Sequence, residues 1–337
     1  MESHHFPPHT ANETLNAMGI FDDEDEDFVP FNERFNWDDV TPIDQDEGPN
    51  PVCVITYSDE FKHVMSYFRA VTRKNEFSER ALFLTSQAIR LNPGNYTAWH
   101  YRRLCLYNLG KDLLEELKAI EQFCQDNPKN YQIWYHRRAL VEKSGQYHSE
   151  LELTEKTLTE DETDNKNYHA WSHRQWVVRA FNLWDLEVDF CDRMINLDFR
   201  NNSAWNHRFF VLTNNSSKPF DLALRDQEID YAFKFIKKAP NNQSSWNYLR
   251  GLMRFMLVDK AVFKTGDFPS VFAEVTTISN NFPTCSNALA LLIDFESEPS
   301  TISSLCDKLV SLDPVRTKYW LFRKGSNVSS EASSSSS

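Results

Sequence analysis

The sequence predicts an all-α protein built as a solenoid of about seven helical hairpins. A tryptophan-centred block recurs along the chain, with 34 to 41 residues between neighbouring tryptophans, a period typical of stacked supersecondary units. The segments before the blocks have apolar residues at helical spacing, whereas strand signals are almost absent. Only 8 glycines are present among 337 residues, which is few for a sheet protein with many tight turns.

The repeated block combines an asparagine, a tryptophan and arginine at fixed spacing. Five copies are clear: NPGNYTAWHYRR (92–103), NPKNYQIWYHRR (127–138), DNKNYHAWSHRQ (164–175), DFRNNSAWNHRF (198–209) and APNNQSSWNYLR (239–250). A weaker copy, DPVRTKYWLFRK (313–324), places Trp320 74 residues beyond Trp246, about two periods. The missing copy is therefore FPTCSNALALL (282–292), with Leu289 in the tryptophan position.

Each unit is predicted to contain two helices, as the first copy illustrates. The segment SERALFLTSQAIRLNP (78–93) has apolar residues at helical spacing and ends at Pro93. Asn95 then caps the second helix by accepting an unpaired backbone N–H. On that helix Trp99 lies one turn before Arg102, and we expect the indole to stack on the guanidinium.

Composition separates the ends of the chain from its centre. Residues 1–50 contain 14 of the 49 acids and one of the 36 basic residues, so the rest of the chain carries 35 of each. We expect residues 1–51 to be an acidic disordered segment, 52–324 the helical solenoid and 325–337 a disordered Ser-rich tail. The acidic run DDEDED (22–27) is either a solvated tail or a regulatory docking segment. The neutral centre argues against binding to nucleic acid.

The cysteines and apolar segments indicate the compartment. The six cysteines are scattered without paired spacing, so we expect reduced and mostly buried thiols in a cytoplasmic protein. No apolar run is long enough for membrane insertion, and no N-terminal apolar segment predicts secretion. No cluster of Cys, His and Asp predicts a metal site, and His4 and His5 are interpreted as incidental.

The repeat N-x-x-x-W-x-x-R, preceded by YFRAVTRKNEFSERAL (67–82), resembles the α subunit of protein prenyltransferases. The similarity covers about residues 55–324 and is greatest to the subunit shared by protein farnesyltransferase and type I geranylgeranyltransferase. It implies a right-handed, crescent-shaped α-α superhelix wrapped around a β subunit that holds zinc. It also implies transfer of farnesyl or geranylgeranyl from the diphosphate, which Mg²⁺ can accompany, to the cysteine of a C-terminal CaaX motif.

Equivalent positions of stacked hairpins should lie side by side, which predicts a polar rim where the second helices begin. The residues concerned are Lys129, Lys166 and Arg200 (five before tryptophan), Tyr96, Tyr131 and Tyr168 (three before), and His169 (two before). Backbone N–H groups and the positive end of the helix dipole also point to this rim, so an anion such as a diphosphate fits there. The alternative is a solvated polar cap in which Lys129 only flanks a turn.

The resemblance implies roles for individual rim residues. Lys129 matches the position of the family's catalytic lysine and would stabilise the departing diphosphate, with Tyr131 and His169 assisting. The predicted substrate-binding residues are Tyr96, Gln132 and Tyr168 from the resemblance, with Lys166 and Arg200 added from the row alone. Two other functions stay open: the α subunit of the Rab-type geranylgeranyltransferase, and a non-catalytic helical-repeat scaffold that binds peptides.

Overall fold

A computed structural model describes residues 35–160, 163–255, 257 and 263–332. In these residues the chain forms sixteen α-helices and no strand, so the predicted all-α class is confirmed. The chain divides into two compact units, Met1–Asn182 and Leu183–Ser337. The single continuous solenoid over residues 52–324 stays a prediction.

The first unit contains one leading helix and three hairpins. Its helices are α1 (Asp59–Lys74), α2 (Glu79–Leu91), α3 (Tyr96–Asn108), α4 (Leu113–Ala119), α5 (Glu121–Asp126), α6 (Tyr131–Ser144), α7 (Glu150–Thr159) and α8 (Tyr168–Phe181). Helix α2 packs on α3, α4 on α6, and α7 on α8, while α1 covers α2. The second helices α3, α6 and α8 also contact one another in turn.

The second unit contains four further hairpins. Its helices are α9 (Glu187–Leu197), α10 (Asn202–Asn214), α11 (Leu222–Lys238), α12 (Gln243–Phe255), α13 (Pro269–Asn281), α14 (Ser286–Phe295), α15 (Pro299–Leu312) and α16 (Thr317–Ala332), with a 3₁₀ turn at Pro314–Arg316. Helix α9 packs on α10, α11 on α12, α13 on α14, and α15 on α16. The described residues thus form the predicted seven hairpins, and Leu289 is buried in α14 at its predicted tryptophan position.

The asparagine and the tryptophan of the repeat form a joint between neighbouring hairpins. Asn130 accepts a hydrogen bond from the Gln132 N–H at 2.9 Å, which confirms the predicted type of cap for α6. Its Nδ2 also donates to the Pro93 carbonyl of the preceding copy at 2.9 Å. Trp99 Nε1 donates to the same oxygen at 2.8 Å. One carbonyl therefore ties the tryptophan of its own copy to the asparagine of the next.

The expected stacking of Arg102 on Trp99 is wrong. Arg102 is fully buried, and its Nε and Nη2 donate to the two carboxylate oxygens of Glu116 at 2.6 and 2.8 Å. Its Nη1 donates to Ser86 Oγ at 2.8 Å. A buried guanidinium needs a carboxylate and acceptors for its five N–H groups, and an indole face provides neither.

The N-terminal boundary also needs correction, because part of the predicted disordered segment 1–51 packs on the helices. We call residues 36–43 the strap. Its Trp37 is buried, and both carboxylate oxygens of Asp39 accept hydrogen bonds from Arg80 at 2.7 and 2.8 Å. The acidic average of the segment concealed this short apolar anchor.

At the other end, α16 continues to Ala332, past the predicted boundary at Lys324. Once a helix is nucleated, each added residue costs little, so a serine-rich sequence can extend it. The acidic run 22–27, His4, His5 and residues 333–337 lie outside the described residues.

Candidate functional site

Three predicted tyrosines occupy the same position in three neighbouring helices. Tyr96, Tyr131 and Tyr168 are the first residues of α3, α6 and α8, and their side chains are 59 to 76% exposed. These helices contact one another in turn, and the asparagine joints hold their N-termini together. The three phenols therefore form a row, which we call the tyrosine row.

The helix ends beneath the tyrosine row lack negative side chains. The first turns of α3, α6 and α8 contain no Asp or Glu, whereas Glu79, Glu115 and Glu150 lie in the first turns of α2, α4 and α7. Acidic residues usually occupy helix N-termini because they offset the positive end of the dipole. Their absence from these three first turns leaves a positive field suited to a phosphate-type anion.

Lys129 adds a charge at this edge. It lies just before the cap of α6, and its side chain is 72% exposed. Its Nζ is 3.3 Å from Oδ1 of Asp164, which belongs to the next copy and whose side chain is 10% exposed. The ammonium is thus held between the second and third hairpins, beside Tyr131 in the chain.

His169 and Gln132 are the second residues of their helices and are less accessible than the tyrosines. The half-buried His169 ring lies edge-on to Tyr168, with 5.6 Å between ring centroids. Burial lowers the pKa of His169, so the neutral imidazole predominates near pH 7. Gln132 is 7% exposed, so little of it can meet a substrate in this arrangement.

The two residues added from the row alone lie in different units. Lys166 is exposed on the turn before α8, in the position that Lys129 has before α6. Arg200 is exposed in the second unit before α10, with its guanidinium carbon 4.6 Å from the centroid of the Phe199 ring. The membership of Arg200 in the rim stays a prediction.

Below the rim, a buried triad joins successive hairpins, which the sequence analysis did not predict. Glu116 of α4 accepts hydrogen bonds from Arg102 in the preceding hairpin and is 3.0 Å from Nε2 of His136 in α6, the other helix of its own hairpin. The same pattern recurs: Glu150 joins Arg137 to His173, at 2.6 and 2.7 Å. Its signal was the histidine two residues after tryptophan, which recurs in three copies.

The charge states of the first triad follow from its surroundings. Burial favours the neutral acid, but the charge of Arg102 and the hydrogen bonds from His136 and Arg102 lower the pKa of Glu116 to about 2. Burial lowers the pKa of His136 to about 4 despite Glu116 beside it. At neutral pH the carboxylate is charged and the imidazole is neutral, so Nε2–H donates to Glu116. Nδ1 can then accept from Arg103 at 3.3 Å.

Metal ligands and membrane spans are both missing from the described residues. These residues contain no group of three or more His, Cys, Asp or Glu that could hold a metal ion, so they do not fit a zinc site. No helix among them has the length and hydrophobicity needed to cross a bilayer. The six cysteines are free thiols, and five are buried, as expected.

Known proteins share both the repeat and about nine tenths of the length of this chain. The family described as Protein prenyltransferase alpha subunit repeat matches residues 78–109, 113–144, 147–181, 184–215 and 225–256. A relative from Dictyostelium discoideum, named protein farnesyltransferase/geranylgeranyltransferase type-1 subunit alpha, is 41% identical over 89% of this chain and 95% of its own. The chain belongs to this family of alpha subunits.

Further members extend the similarity. The subunit of the same name from Pisum sativum is 41% identical over 91% of this chain and 97% of its own. Among solved structures, Candida albicans protein geranylgeranyltransferase-I complexed with GGPP has a TM-score of 0.73 and 29% identity, and covers 90% of this chain and 99% of its own. The repeat matches end at residue 256, whereas the helices of this family member continue with two more hairpins, α13 to α16.

Proposed function

We propose that this chain is the α subunit of a heterodimeric, zinc-dependent protein prenyltransferase. It transfers farnesyl, or geranylgeranyl with a different β subunit, from the diphosphate to the cysteine of a C-terminal CaaX motif. Membership of the family supports the reaction class. The observation that carries the role of this chain is the exposed Lys129 ammonium beside a row of phenols, at helix ends free of first-turn acids.

The transfer makes one bond and breaks one bond. The thiolate sulfur of the substrate cysteine attacks C1 of the isoprenoid, and a thioether forms. The bond between C1 and the diphosphate oxygen breaks, and its electron pair leaves with the diphosphate. Negative charge therefore increases on the departing group, and a cation already in place beside it stabilises the transition state more than the ground state.

Lys129 supplies this cation, and the phenol of Tyr131 donates a hydrogen bond to the same diphosphate. His169 is neutral near pH 7, so it acts as a hydrogen-bond donor. Tyr96 and Tyr168 line the same edge for substrate, with Lys166 and Arg200 adding positive charge. Gln132 faces the substrate carboxylate through the small part that is exposed.

The remaining chemistry belongs to the partner. Because the described residues do not fit a zinc site, we assign the zinc to the β subunit, and Mg²⁺ can accompany the diphosphate. When bound there, zinc stabilises a substrate thiolate. The buried free thiols agree with a reducing compartment, so we place the enzyme in the cytoplasm.

The two alternatives fit the observations less well. The α subunit of the Rab-type geranylgeranyltransferase would share the fold, but the high-identity relatives reported above are subunits of the farnesyl and type I enzymes. A non-catalytic peptide-binding scaffold does not require an acid-free rim with an exposed lysine.

The test is Lys129→Ala in the complex with the β subunit. We expect kcat to fall about 100- to 1,000-fold, the range for removing one preorganised donor to a developing negative charge. Assembly and peptide binding should stay nearly unchanged. The matched control is Lys111→Ala, since Lys111 is also paired with one carboxylate, Glu79 at 2.7 Å, but lies beyond the opposite end of α3. A loss confined to assembly would return Lys129 to a structural role.

A further inference from the structure

Asp164 is an unusual carboxylate in this fold. Its side chain is 10% exposed, and its buried Oδ1 accepts no hydrogen bond from any residue the structure describes. Lys129 Nζ, at 3.3 Å, is the charge that faces this oxygen. Burying a carboxylate oxygen without a hydrogen bond is costly, and the lysine offsets this cost by supplying the opposite charge.

The same position in other copies behaves differently. Seven residues before tryptophan the chain has Asn92, Asn127, Asp164, Asp198 and Ala239. Asn92 Oδ1 accepts the Gly94 N–H at 3.0 Å, and Asp198 Oδ1 accepts the Arg200 N–H at 2.9 Å, so both close their own turn. Oδ1 of Asp164 closes no such turn and is directed to the lysine of the preceding copy.

We propose that Asp164 is a positioning residue for the transfer reaction, the internal counterion that holds Lys129 at the rim until the isoprenoid diphosphate replaces it. The inference rests on the function proposed for Lys129. The lysine is already ordered at the rim when substrate arrives, but its charge is shared with Asp164. As charge develops on the departing diphosphate, the ammonium moves its attraction from Asp164 to that group.

This exchange affects the two states of the reaction unequally. Asp164 competes with the bound diphosphate for Lys129, and so weakens binding of the substrate and of the diphosphate product. In the transition state the leaving group is more highly charged, so it competes better with Asp164 for Lys129. Asp164 therefore raises KM and kcat together, because it weakens the enzyme–substrate complex more than the transition state.

The experiment uses Asp164→Asn in the complex with the β subunit. The variant should fold, because Asn92 and Asn127 occupy the equivalent position in two copies. We expect KM for the isoprenoid diphosphate and kcat to fall together by about 2- to 5-fold, the range for one partly exposed ion pair, with kcat/KM nearly constant. Calorimetry should show inorganic diphosphate binding tighter by a similar factor.

Two further variants separate positioning from support of the fold. Lys129→Ala leaves a buried carboxylate without its partner, so this variant should unfold at a lower temperature than the Lys129→Ala/Asp164→Asn double variant. Asp307→Asn is the matched control, since it removes another lysine–aspartate pair, 2.6 Å from Lys324 and remote in sequence from the rim. It should leave KM, kcat and diphosphate binding as in the wild type.

The outcomes distinguish the two proposals. Wild-type KM, kcat and diphosphate binding in Asp164→Asn, with turnover lost in Lys129→Ala, overturn the counterion and leave the proposed function standing. A raised KM with a lowered unfolding temperature in Asp164→Asn also overturns it, because that result describes a structural residue. If Lys129→Ala turns over normally, or if the wild-type complex binds no inorganic diphosphate, both proposals are overturned.

Discussion

At the scale of residues, the repeat uses one buried carboxylate to satisfy side chains from two hairpins. Glu116 and Glu150 each pair with an arginine of one hairpin and a histidine of the next. Removing the arginine or the glutamate would leave a buried charge without its partner, which typically costs about 3–5 kcal/mol. The triads therefore link hairpins that are adjacent in sequence.

The first triad predicts a pH dependence of stability. Burial lowers the folded-state pKa of His136 to about 4, from the ordinary value of 6.5 for a histidine. Between these values the unfolded chain binds a proton that the folded chain does not bind, so stability falls as pH falls. His136→Gln keeps a donor for Glu116 but cannot titrate, so its stability should fall less steeply, by up to about 1.4 kcal/mol per pH unit.

Unfolding of the complex with the β subunit between pH 7 and 4.5 measures this difference. The carboxylate of Glu116, whose pKa is lowered to about 2, adds slope only as the pH approaches its ordinary value of 4.5, and it is present in the wild type and in His136→Gln alike. His100→Gln, at an exposed histidine of α3, is the control and should follow the wild type. Parallel profiles for His136→Gln and the wild type would overturn this, because they would show that His136 titrates in the folded protein as it does in the unfolded chain.

The residue-scale comparison shows which features local sequence can predict. The cap at Asn95 was predictable because it involves only neighbours along the chain: its Oδ1 accepts the Ala98 N–H. The partner of Arg102 was not, because Glu116 lies 14 residues away on another helix. Asp164 was missed because its partner is also distant in sequence: its side chain is directed to Lys129 of the preceding copy, whereas that of Asn92 bonds within its own turn.

At the scale of elements, the asparagine joint explains why the blocks recur. Each asparagine caps its own helix and also bonds to the preceding copy: Asn130 to Pro93, Asn167 to Pro128 and Asn242 to Phe199. The repeat could be counted from sequence because this joint needs the same residues each time. The strap was missed because it is a single anchor without repetition.

Asn242 separates the two functions of the joint. In Asn242→Asp the carboxylate can still accept the Ser244 N–H, but the donor to the Phe199 carbonyl at 2.8 Å is lost. Since Asp caps helices as well as Asn, we expect a loss of about 1–2 kcal/mol from the missing inter-hairpin bond. Asn242→Ala should lose about 1 kcal/mol more, because the cap is lost as well.

Thermal unfolding of the complex with the β subunit compares these variants. Asn108→Asp is the control, since Asn108 is exposed and its Nδ2 donates within its own helix, to the Leu104 carbonyl. An Asn242→Asp variant as stable as the wild type would show that the joint acts through the cap alone.

At the scale of the whole molecule, the chain exposes aromatic surface that a soluble monomer rarely leaves open. Tyr96, Tyr131, Tyr135 and Tyr168 are each more than half exposed, and all lie on second helices of the first unit. Tyrosines of this kind are enriched at protein interfaces, where the ring is buried and the hydroxyl keeps a partner. We therefore expect a partner subunit to bury part of this tyrosine surface.

We therefore expect the chain alone to be poorly behaved and inactive, and co-expression with a β subunit to give a 1:1 complex with zinc-dependent transfer. Light scattering after size exclusion gives the stoichiometry. A chelator should abolish transfer by removing the zinc, which we assign to the β subunit since the described residues of this chain do not fit the metal site.

Tyr135→Ser tests the interface. Tyr135 lies one turn into α6, where Arg103 stacks on its ring at 5.0 Å, and its substitution should weaken assembly before it affects chemistry. The matched substitution Tyr319→Ser, in α16 of the second unit, should assemble normally if the interface is local to the first unit. A stable, monodisperse monomer that ignores every β subunit offered would overturn the heterodimer, because the exposed phenols would then be open surface.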